Sequence, residues 1–251
     1  MKKQKRKTDY NATAGIGLKF WILPLFAVLF MSGCIGLSDC ITGSGNVVSE
    51  EFTLDKFHGV DFGGSGNLYV TQEAQQSIRI EAEDNVIEAL TVRVVNGKLI
   101  ISSDRCFTNI KPINVYVSME EVKDLSGSGS VNIISQSEIN ADTLKLSISG
   151  SGSFDVTLDA EELNTNIAGS GKSNLKGTAK VHNVVVGGSG DIKAFDLSTE
   201  RTDITISGSG KAEVDASQEL DVTILGSGSV FYTGDAAVSQ SVSGSGKIVK
   251  V

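Results

Sequence analysis

The sequence predicts an all-β protein, a single-stranded, right-handed parallel β-helix (a solenoid) whose flattened two-sheet coils each hold about 20 residues. Three observations support this prediction. Glycine is abundant, with 28 residues against 2 prolines, and it stands among many β-branched residues, as in short strands joined by tight turns. The triplet Gly-Ser-Gly recurs along the chain, and apolar and polar residues alternate on both sides of it.

The spacing of the triplets is the strongest of these observations. Most intervals lie between 18 and 23 residues, and one of 63 equals three times 21, which predicts that the coils continue through residues 64–126 without the triplet. A period near 20 is typical of stacked units that cannot bury an apolar face alone. We expect about ten or eleven coils on this spacing. The triplets begin at Gly43, Gly64, Gly127, Gly150, Gly169, Gly188, Gly208, Gly226 and Gly244.

The triplets are predicted to be corners of the coil. Apolar residues stand two and four positions before the first glycine, as Val184 and Val186 do before Gly188, and again four and six positions after it. Both glycines share this parity, so we expect them to face the crowded inside of a corner while the serine points outward. The predicted corners in the regular half are Gly127-Ser128-Gly129, Gly150-Ser151-Gly152, Gly169-Ser170-Gly171, Gly188-Ser189-Gly190, Gly208-Ser209-Gly210 and Gly226-Ser227-Gly228.

The first 33 residues are predicted to be a lipoprotein signal peptide. Residues 2–7 are basic, residues 20–31 are uncharged and largely apolar, and small residues precede Cys34, which is the pattern of a secretory signal. Met31-Ser32-Gly33-Cys34 resembles a bacterial lipobox, so Cys34 is the predicted lipidation site and contact with outer-membrane lipid. An uncleaved anchor running through Leu37 is the alternative.

The remaining chain divides into a tether and a solenoid. Residues 34–45 are the predicted tether and residues 46–251 the solenoid. Its 46–126 part is less regular and its 127–251 part carries the regular repeats. Asn96-Gly97 is a strong turn signal between two strands. In the less regular part, strands are predicted at residues 67–71, 77–82, 89–95, 98–102 and 113–118.

Two cysteines remain if Cys34 carries lipid. In an oxidising envelope Cys40 and Cys106 can form a disulfide, and they can equally stay as buried thiols. The sequence leaves both possibilities open.

Charge argues against nucleic acid as a partner. Residues 1–33 hold six of the 22 basic residues and one of the 30 acidic residues, so the rest of the chain has a formal charge of about −13. Such a surface repels phosphate backbones, because binding them requires clustered lysine and arginine.

No arrangement of residues in the sequence indicates catalysis, and we predict no catalytic residue, no metal site and no cofactor. Acidic pairs such as Glu120-Glu121 and Glu161-Glu162 fall at unrelated coil positions, and so do His58 and His182. A metal or acid–base site needs such groups to converge. The serines of the triplets have no neighbouring base to activate them.

Most of the chain after the signal resembles a known bacterial family, the autotransporter-adhesin head GIN domain family, whose biochemical activity is unknown. The resemblance lies in residues 57–62 running into Gly64-Ser65-Gly66, in residues 77–82, in residues 96–101 and in the later triplets. It implies a β-helix in a lipoprotein or secreted context, commonly in Bacteroidetes-type bacteria, with a suggested role in adhesion. It carries over no site residue.

The predicted function is that of a non-enzymatic, lipid-anchored adhesion or binding module in the cell envelope of a Gram-negative bacterium. It would be an outer-membrane lipoprotein facing the surface or the periplasm, and its repetitive faces would meet glycan or protein ligands. The alternatives are a polysaccharide-acting β-helix enzyme and a structural or stress-response envelope lipoprotein. The sequence says nothing about oligomeric state.

Overall fold

Strands make up most of residues 40–251, the part of the chain that the computed structural model describes. The predicted signal peptide, Cys34 and the start of the predicted tether lie outside the described residues. The elements in chain order are β1 (Ile41–Thr42), β2 (Val47–Glu51), β3 (Gly59–Gln72), β4 (Ser77–Glu83), α1 (Asp84–Ile87), β5 (Thr91–Val95), β6 (Lys98–Ser102), β7 (Phe107–Thr108), β8 (Ile113–Met119), β9 (Asp124–Ser135), β10 (Ile139–Gly150), β11 (Ser153–Gly169), β12 (Lys172–Gly188), β13 (Asp191–Gly208), β14 (Lys211–Gly226), β15 (Ser229–Thr233), β16 (Ala237–Gly244) and β17 (Lys247–Lys250).

The predicted parallel β-solenoid is confirmed, with coils of about 19 residues. From β9 onward each coil pairs in parallel with the next, and β11 meets β12 in register from Ser153 opposite Lys172 to Gly169 opposite Gly188. The offset between paired residues therefore equals the interval between successive triplets. The solenoid has about seven turns, fewer than expected, because part of residues 46–126 pairs in another way.

Each regular coil is flattened, with two arms and two corners. In β11 alternate residues from Phe154 to Ala160 are buried, and after Glu161 and Glu162 the buried set resumes at Leu163. This change of parity marks a second corner opposite the triplet. The two arms face each other across a thin core filled by Val, Ile and Leu, which provides the hydrophobic stabilisation.

The triplets form the first corner, and their two glycines have different roles. The first glycine has a φ between +115° and +131° in the coils from Gly150 to Gly244, and it lies at the surface rather than inside. The next serine amide donates a hydrogen bond to the first glycine carbonyl of the preceding coil, as Ser189 N does to Gly169 O at 2.8 Å. The second glycine is buried in the coils from Gly152 to Gly228, as predicted from its parity.

The prediction of a corner at Gly127-Ser128-Gly129 is wrong by two residues. Gly129 stacks on Gly64 and Gly150 and has the positive φ of +93°, while Gly127 is buried opposite Ile148. The repeated Gly-Ser allows either register, and the stack selects the one that places Gly129 at the turn. Counted from Gly129, the interval to the next triplet is 21 residues.

Residues 46–126 begin the same stack, because β3 pairs in parallel with β6, β8 and β9, but they do not form successive coils in chain order. The β3 strand lies between β9 and β8, although β8 comes between them in sequence. The β2 and β4 strands pair antiparallel at the N-terminal end, and β5 and β6 form an antiparallel hairpin at Asn96-Gly97. The predicted strands exist, but alternation of residue types does not specify the direction in which strands pair.

Candidate functional site

A row of polar and aromatic side chains faces outward where β3 lies between β8 and β9. Leu68 and Val70 are buried, so the alternation of β3 turns Asn67 and Tyr69 outward. The same alternation exposes Asn114 and Tyr116 on β8. Because Asn67 pairs with Asn114 and Tyr69 with Tyr116, like residues stand side by side.

The asparagines form a hydrogen-bonded ladder across three strands. Asn67 Nδ2 donates to Asn114 Oδ1 at 2.9 Å, and Asn132 Nδ2 donates to Asn67 Oδ1 at 3.0 Å. Ser153 Oγ extends the ladder by donating to Asn132 Oδ1 at 2.8 Å. The ladder holds the amides in one orientation, so their remaining donors and acceptors point toward solvent as a regular row.

Next to this ladder the two tyrosines stack. The ring centroids of Tyr69 and Tyr116 are 4.9 Å apart and their planes are 14° from parallel. The Arg79 guanidinium lies 4.0 Å from the centroid of the Tyr116 ring, and Arg79 also pairs with Glu81. Burial raises the pKa of Tyr116, and the adjacent Glu81 carboxylate raises it further. The Tyr116 ring is therefore neutral at physiological pH.

We call this surface the amide–tyrosine face. It comprises Asn67, Asn114, Asn132, Tyr69, Tyr116, Arg79 and Glu81. Fixed amides beside two stacked aromatic rings provide directional hydrogen bonds and an apolar contact together, the combination used to orient small polar ligands.

An open groove of about 900 Å³ borders this face at the glycine corner. Its floor comes from residues 63–67 of β3 and residues 128–132 of β9, and its wall from the loop at residues 102–112. Asn67 and Asn132 belong to both the groove and the amide–tyrosine face. The lining carries hydroxyls, amides and the basic residues Arg105 and Lys111, with no carboxylate and no histidine among the described residues that line it.

The loop at residues 102–112, which forms the groove wall, is bonded to the N-terminal segment at residues 40–45. Cys40 and Cys106 are joined by a disulfide, and β1 pairs with β7 beside it. The Lys111 Nζ donates to the Gly45 carbonyl at 2.9 Å. The second half of the predicted tether is therefore packed on the body, and the Gly43 triplet belongs to this segment instead of a coil corner.

The acidic pairs considered as catalytic candidates do not converge. Buried Glu83 accepts hydrogen bonds from the amides of Gly45 and Lys111, at 2.7 and 2.9 Å, and so serves to anchor the N-terminal segment. Glu161 pairs with Lys180 at the second corner. No group of three or more possible metal ligands occurs within residues 40–251.

One carboxyl group on the regular coils, Asp203, has a raised pKa. Burial raises the pKa of Asp203, and its register partner Asp221 on the next coil raises it further. Neither residue lines the groove at the glycine corner or a second groove of about 730 Å³ at the opposite corner. The pair therefore belongs to neither groove.

His182 lies in the core among apolar residues. It is fully buried, its Nε2 is 3.0 Å from the Thr165 hydroxyl, and its Nδ1 has no hydrogen-bond partner within the described residues. Burial lowers its pKa from 6.5 to about 3. It is a neutral core residue, out of reach of any ligand.

Sequence reasoning missed the amide–tyrosine face. The alternation of residues 67–70 and 114–117 shows that Tyr69 and Tyr116 point outward, yet they are 47 positions apart. Only the placement of β3 next to β8 brings them together, and no sequence period indicates that placement.

Comparison with known proteins agrees with this architecture. The family model described as "Putative auto-transporter adhesin, head GIN domain" matches residues 56–236. No curated protein matches the chain. Within the described residues, no helix is long and apolar enough to cross a membrane.

Solved structures from Bacteroides and Parabacteroides species share the fold over nearly their whole length. A "putative adhesin" of Bacteroides fragilis is 25% identical with a TM-score of 0.80, covering 84% of this chain and 100% of its own. A "putative lipid binding protein" of Parabacteroides distasonis is 27% identical with a TM-score of 0.69, covering 84% and 99%. A "putative adhesin" of Parabacteroides merdae is 24% identical with a TM-score of 0.65, covering 85% and 99%.

Proposed function

Since the chain belongs to the head GIN family of adhesin domains, we propose that it is a non-enzymatic binding module of the bacterial envelope that holds glycans on its amide–tyrosine face. The observation that carries this proposal is the ladder of fixed asparagine amides beside the stacked Tyr69 and Tyr116. A sugar ring offers apolar C–H groups to the tyrosine rings and hydroxyls to the amides, so both halves of the face have a partner in one ligand.

The adjoining groove narrows the class of ligand. Its hydroxyl and amide lining favours a hydroxyl-rich chain over an acyl chain. The positive charges of Arg105 and Lys111 are compatible with a neutral sugar or a carboxylated one. One structural neighbour is named for lipid binding, so lipid is a comparison arm in the test. Among these lining residues there is no carboxylate and no histidine to act as a general acid or base.

We propose the same envelope location as the sequence predicts, with Cys34 as the lipid attachment. The disulfide between Cys40 and Cys106 fits an oxidising compartment. Protease treatment of intact cells tests which side the body occupies. Digestion without lysis places it on the cell surface, and protection until lysis places it in the periplasm and contradicts a surface adhesin.

A glycan array tests the ligand class. The wild-type chain is compared with Tyr116→Ala, which removes the stack and the Arg79 contact, and with Phe195→Ala, which removes an exposed aromatic ring on β13. We expect retention of glycans by the wild type and by Phe195→Ala, and at least a tenfold loss in Tyr116→Ala. Equal binding by all three proteins, or preference for lipid vesicles over every glycan, would contradict the proposal.

A further inference from the structure

Two grooves of the body, one at each corner of the coils, carry charges of opposite sign. Among the described residues, the groove at the glycine corner is lined by Arg105 and Lys111 and by no acidic side chain. The lining of the groove at the opposite corner has one lysine and four carboxylates, contributed by Lys123 and by Glu121, Asp142, Asp159 and Glu161. A negatively charged ligand is therefore favoured in the first groove and opposed in the second.

The positive groove at the glycine corner belongs to an acidic chain, whose formal charge after residue 33 is about −13. At physiological salt the field of an exposed charge decays over about 8 Å. A ligand in the groove is therefore affected mainly by the charges of the lining. Asp104, the neighbour of Arg105 in the wall loop, is exposed and lies outside that lining. The acidic excess elsewhere on the body does not cancel the local attraction.

The N-terminal segment holds the positive charge of Lys111 at the groove. The Lys111 backbone amide donates to buried Glu83 at 2.9 Å, and the Gly45 amide donates to the same carboxylate at 2.7 Å. The Lys111 Nζ donates to the Gly45 carbonyl at 2.9 Å, which occupies one of its three N–H donors and leaves two for a ligand. Arg105 precedes Cys106, which the disulfide fixes, and its guanidinium has the planar fork of donors that suits a carboxylate.

The cationic wall lies close to the amide–tyrosine face. Lys111 leads into β8, and Asn114 of the asparagine ladder comes three residues later, so the two Cα atoms are at most about 11 Å apart. Hydroxyl groups fill the space between the wall and the ladder, since five serines line the groove, namely Ser65, Ser102, Ser103, Ser128 and Ser130. One short oligosaccharide can therefore reach the cations, the hydroxyls and the amides together.

We propose that the groove at the glycine corner selects glycans that carry a carboxylate, with Arg105 and Lys111 as the residues that determine this specificity. The inference rests on the proposed glycan-binding function and narrows its ligand to acidic sugars, the hexuronic and sialic acids. The carboxylate lies against the cationic wall while a neighbouring ring contacts the amide–tyrosine face. A neutral sugar of the same size lacks the charge-assisted hydrogen bonds to the wall and binds more weakly.

Chemical reduction of the glycan carboxyl group tests this selectivity. The reduction converts the carboxylate to a hydroxymethyl group and keeps the size and linkages of the glycan. Oligosaccharides of hexuronic acid and of sialic acid, each paired with its reduced form, are titrated into the full chain in detergent solution. We expect at least tenfold tighter binding of one acidic glycan than of its reduced form. Equal affinities within every pair would overturn the inference.

Substitution of the two cations locates the selectivity in the groove. The double variant Arg105→Met/Lys111→Met should bind both members of a pair with the affinity that the wild type has for the reduced form. Lys111→Arg keeps the charge and should retain the preference for the acidic form. Lys145→Met changes an exposed lysine of β10 outside both grooves and should bind as the wild type does. A preference that survives in the double variant would contradict the assignment, and circular dichroism verifies that this variant is folded.

Salt and Tyr116→Ala separate this inference from the proposed function. Raising the salt from about 0.1 M to about 1 M shortens the screening length from about 10 Å to about 3 Å, so it should weaken binding of the acidic form alone. Tyr116→Ala should weaken both forms by the same factor. If both forms bind equally and depend on Tyr116, only the selectivity for acidic sugars fails. If the acidic form is preferred and Tyr116 is irrelevant, the groove is upheld and the amide–tyrosine face fails.

Discussion

A β-carbon on Gly190 would lie 2.7 Å from Cγ2 of Ile167 in the preceding coil. The same relationship joins Gly210 to Val186 and Gly228 to Ile206, each at 2.7 Å. Thus the second glycine of a triplet is required because the β-branched residue of the preceding coil already fills the inside of the corner. The Gly-Ser-Gly repeat therefore reflects side-chain packing between neighbouring coils as well as the conformation of the turn.

Gly190→Ala should therefore destabilise the protein by about 1–3 kcal/mol through overpacking of the corner. Gly187→Ala is the matched control, because a β-carbon there would have only the Ile167 carbonyl oxygen at 3.9 Å. That control should be neutral or slightly stabilising, since alanine lowers the entropy of the unfolded chain. Urea unfolding measures both variants, and equal effects would contradict the packing explanation.

The contact between these residues also predicts coupling. Ile167→Ala alone should cost roughly 2–5 kcal/mol by leaving a cavity. Combined with Gly190→Ala the loss should be smaller than the sum, because the new methyl group occupies space that the isoleucine vacated. Additive free energies of unfolding in this double-mutant cycle would show that the two side chains do not compete for one space.

The first glycine of a triplet should be less tolerant still. Gly208 has a φ of +130°, and a β-carbon on it would lie 2.3 Å from the carbonyl oxygen of Gly188. Gly208→Ala combines a disfavoured backbone conformation with a collision against the hydrogen-bonded corner ladder. We expect a larger loss of stability than for Gly190→Ala, measured in the same urea titration, and the reverse order would be inconsistent with the corner geometry.

The disulfide between Cys40 and Cys106 should stabilise the wall of the groove. The two residues are 66 positions apart, a separation for which chain-entropy models give about 4 kcal/mol. The double variant Cys40→Ser/Cys106→Ser should unfold at lower urea and lose glycan affinity. Asp104→Ala, at an exposed position of the same loop outside the groove lining, controls for a local change. An unchanged unfolding midpoint would mean that the segment at residues 40–46 is held by its hydrogen bonds alone.

Buried His182 should make stability depend on pH. Its pKa is about 3 in the folded protein against 6.5 for the ordinary side chain, so below pH 6.5 the unfolded chain takes up a proton that the folded chain does not. The stability is therefore fully present above pH 6.5 and falls as the pH decreases toward 3, by up to about 1.4 kcal/mol per pH unit.

The variant His182→Leu isolates this effect, because leucines occupy the same row on β11 and β14. The free energy of unfolding of His182→Leu relative to that of the wild type should increase steadily as the pH falls from 6.5 to 4. Thr165→Val, which removes only the hydrogen-bond partner, should shift stability by the same amount at every pH. Parallel curves for the wild type and His182→Leu would show that the histidine is not excluded from water.

The solenoid could be predicted from sequence because each coil repeats the same local pattern of glycine triplets and alternating apolar residues. The interval between triplets equals the register between coils, and the parity of Val184 and Val186 directly predicts their burial. Where the sequence is ambiguous the prediction failed. Gly127 and Gly129 both begin Gly-Ser, and only stacking on Gly64 and Gly150 decides between them.

The candidate site was beyond sequence reasoning for a different physical reason. Tyr69 and Tyr116 become neighbours through pairing between β3 and β8, strands that are not consecutive in the chain. Alternation predicts which side chains face water but gives no partner and no direction for a strand. The surface that binds in our proposal is therefore a product of topology alone.

The central claim is that the amide–tyrosine face binds a glycan without cleaving it. A single titration after which the glycan is recovered tests both parts of this claim most directly. A glycan selected on the array is titrated calorimetrically into the wild type, Tyr69→Ala and Phe195→Ala, and its mass is then measured. We predict binding by the wild type and by Phe195→Ala, at least tenfold weaker binding by Tyr69→Ala, and an intact glycan throughout. A cleaved glycan, or affinity that is indifferent to Tyr69, would contradict the account.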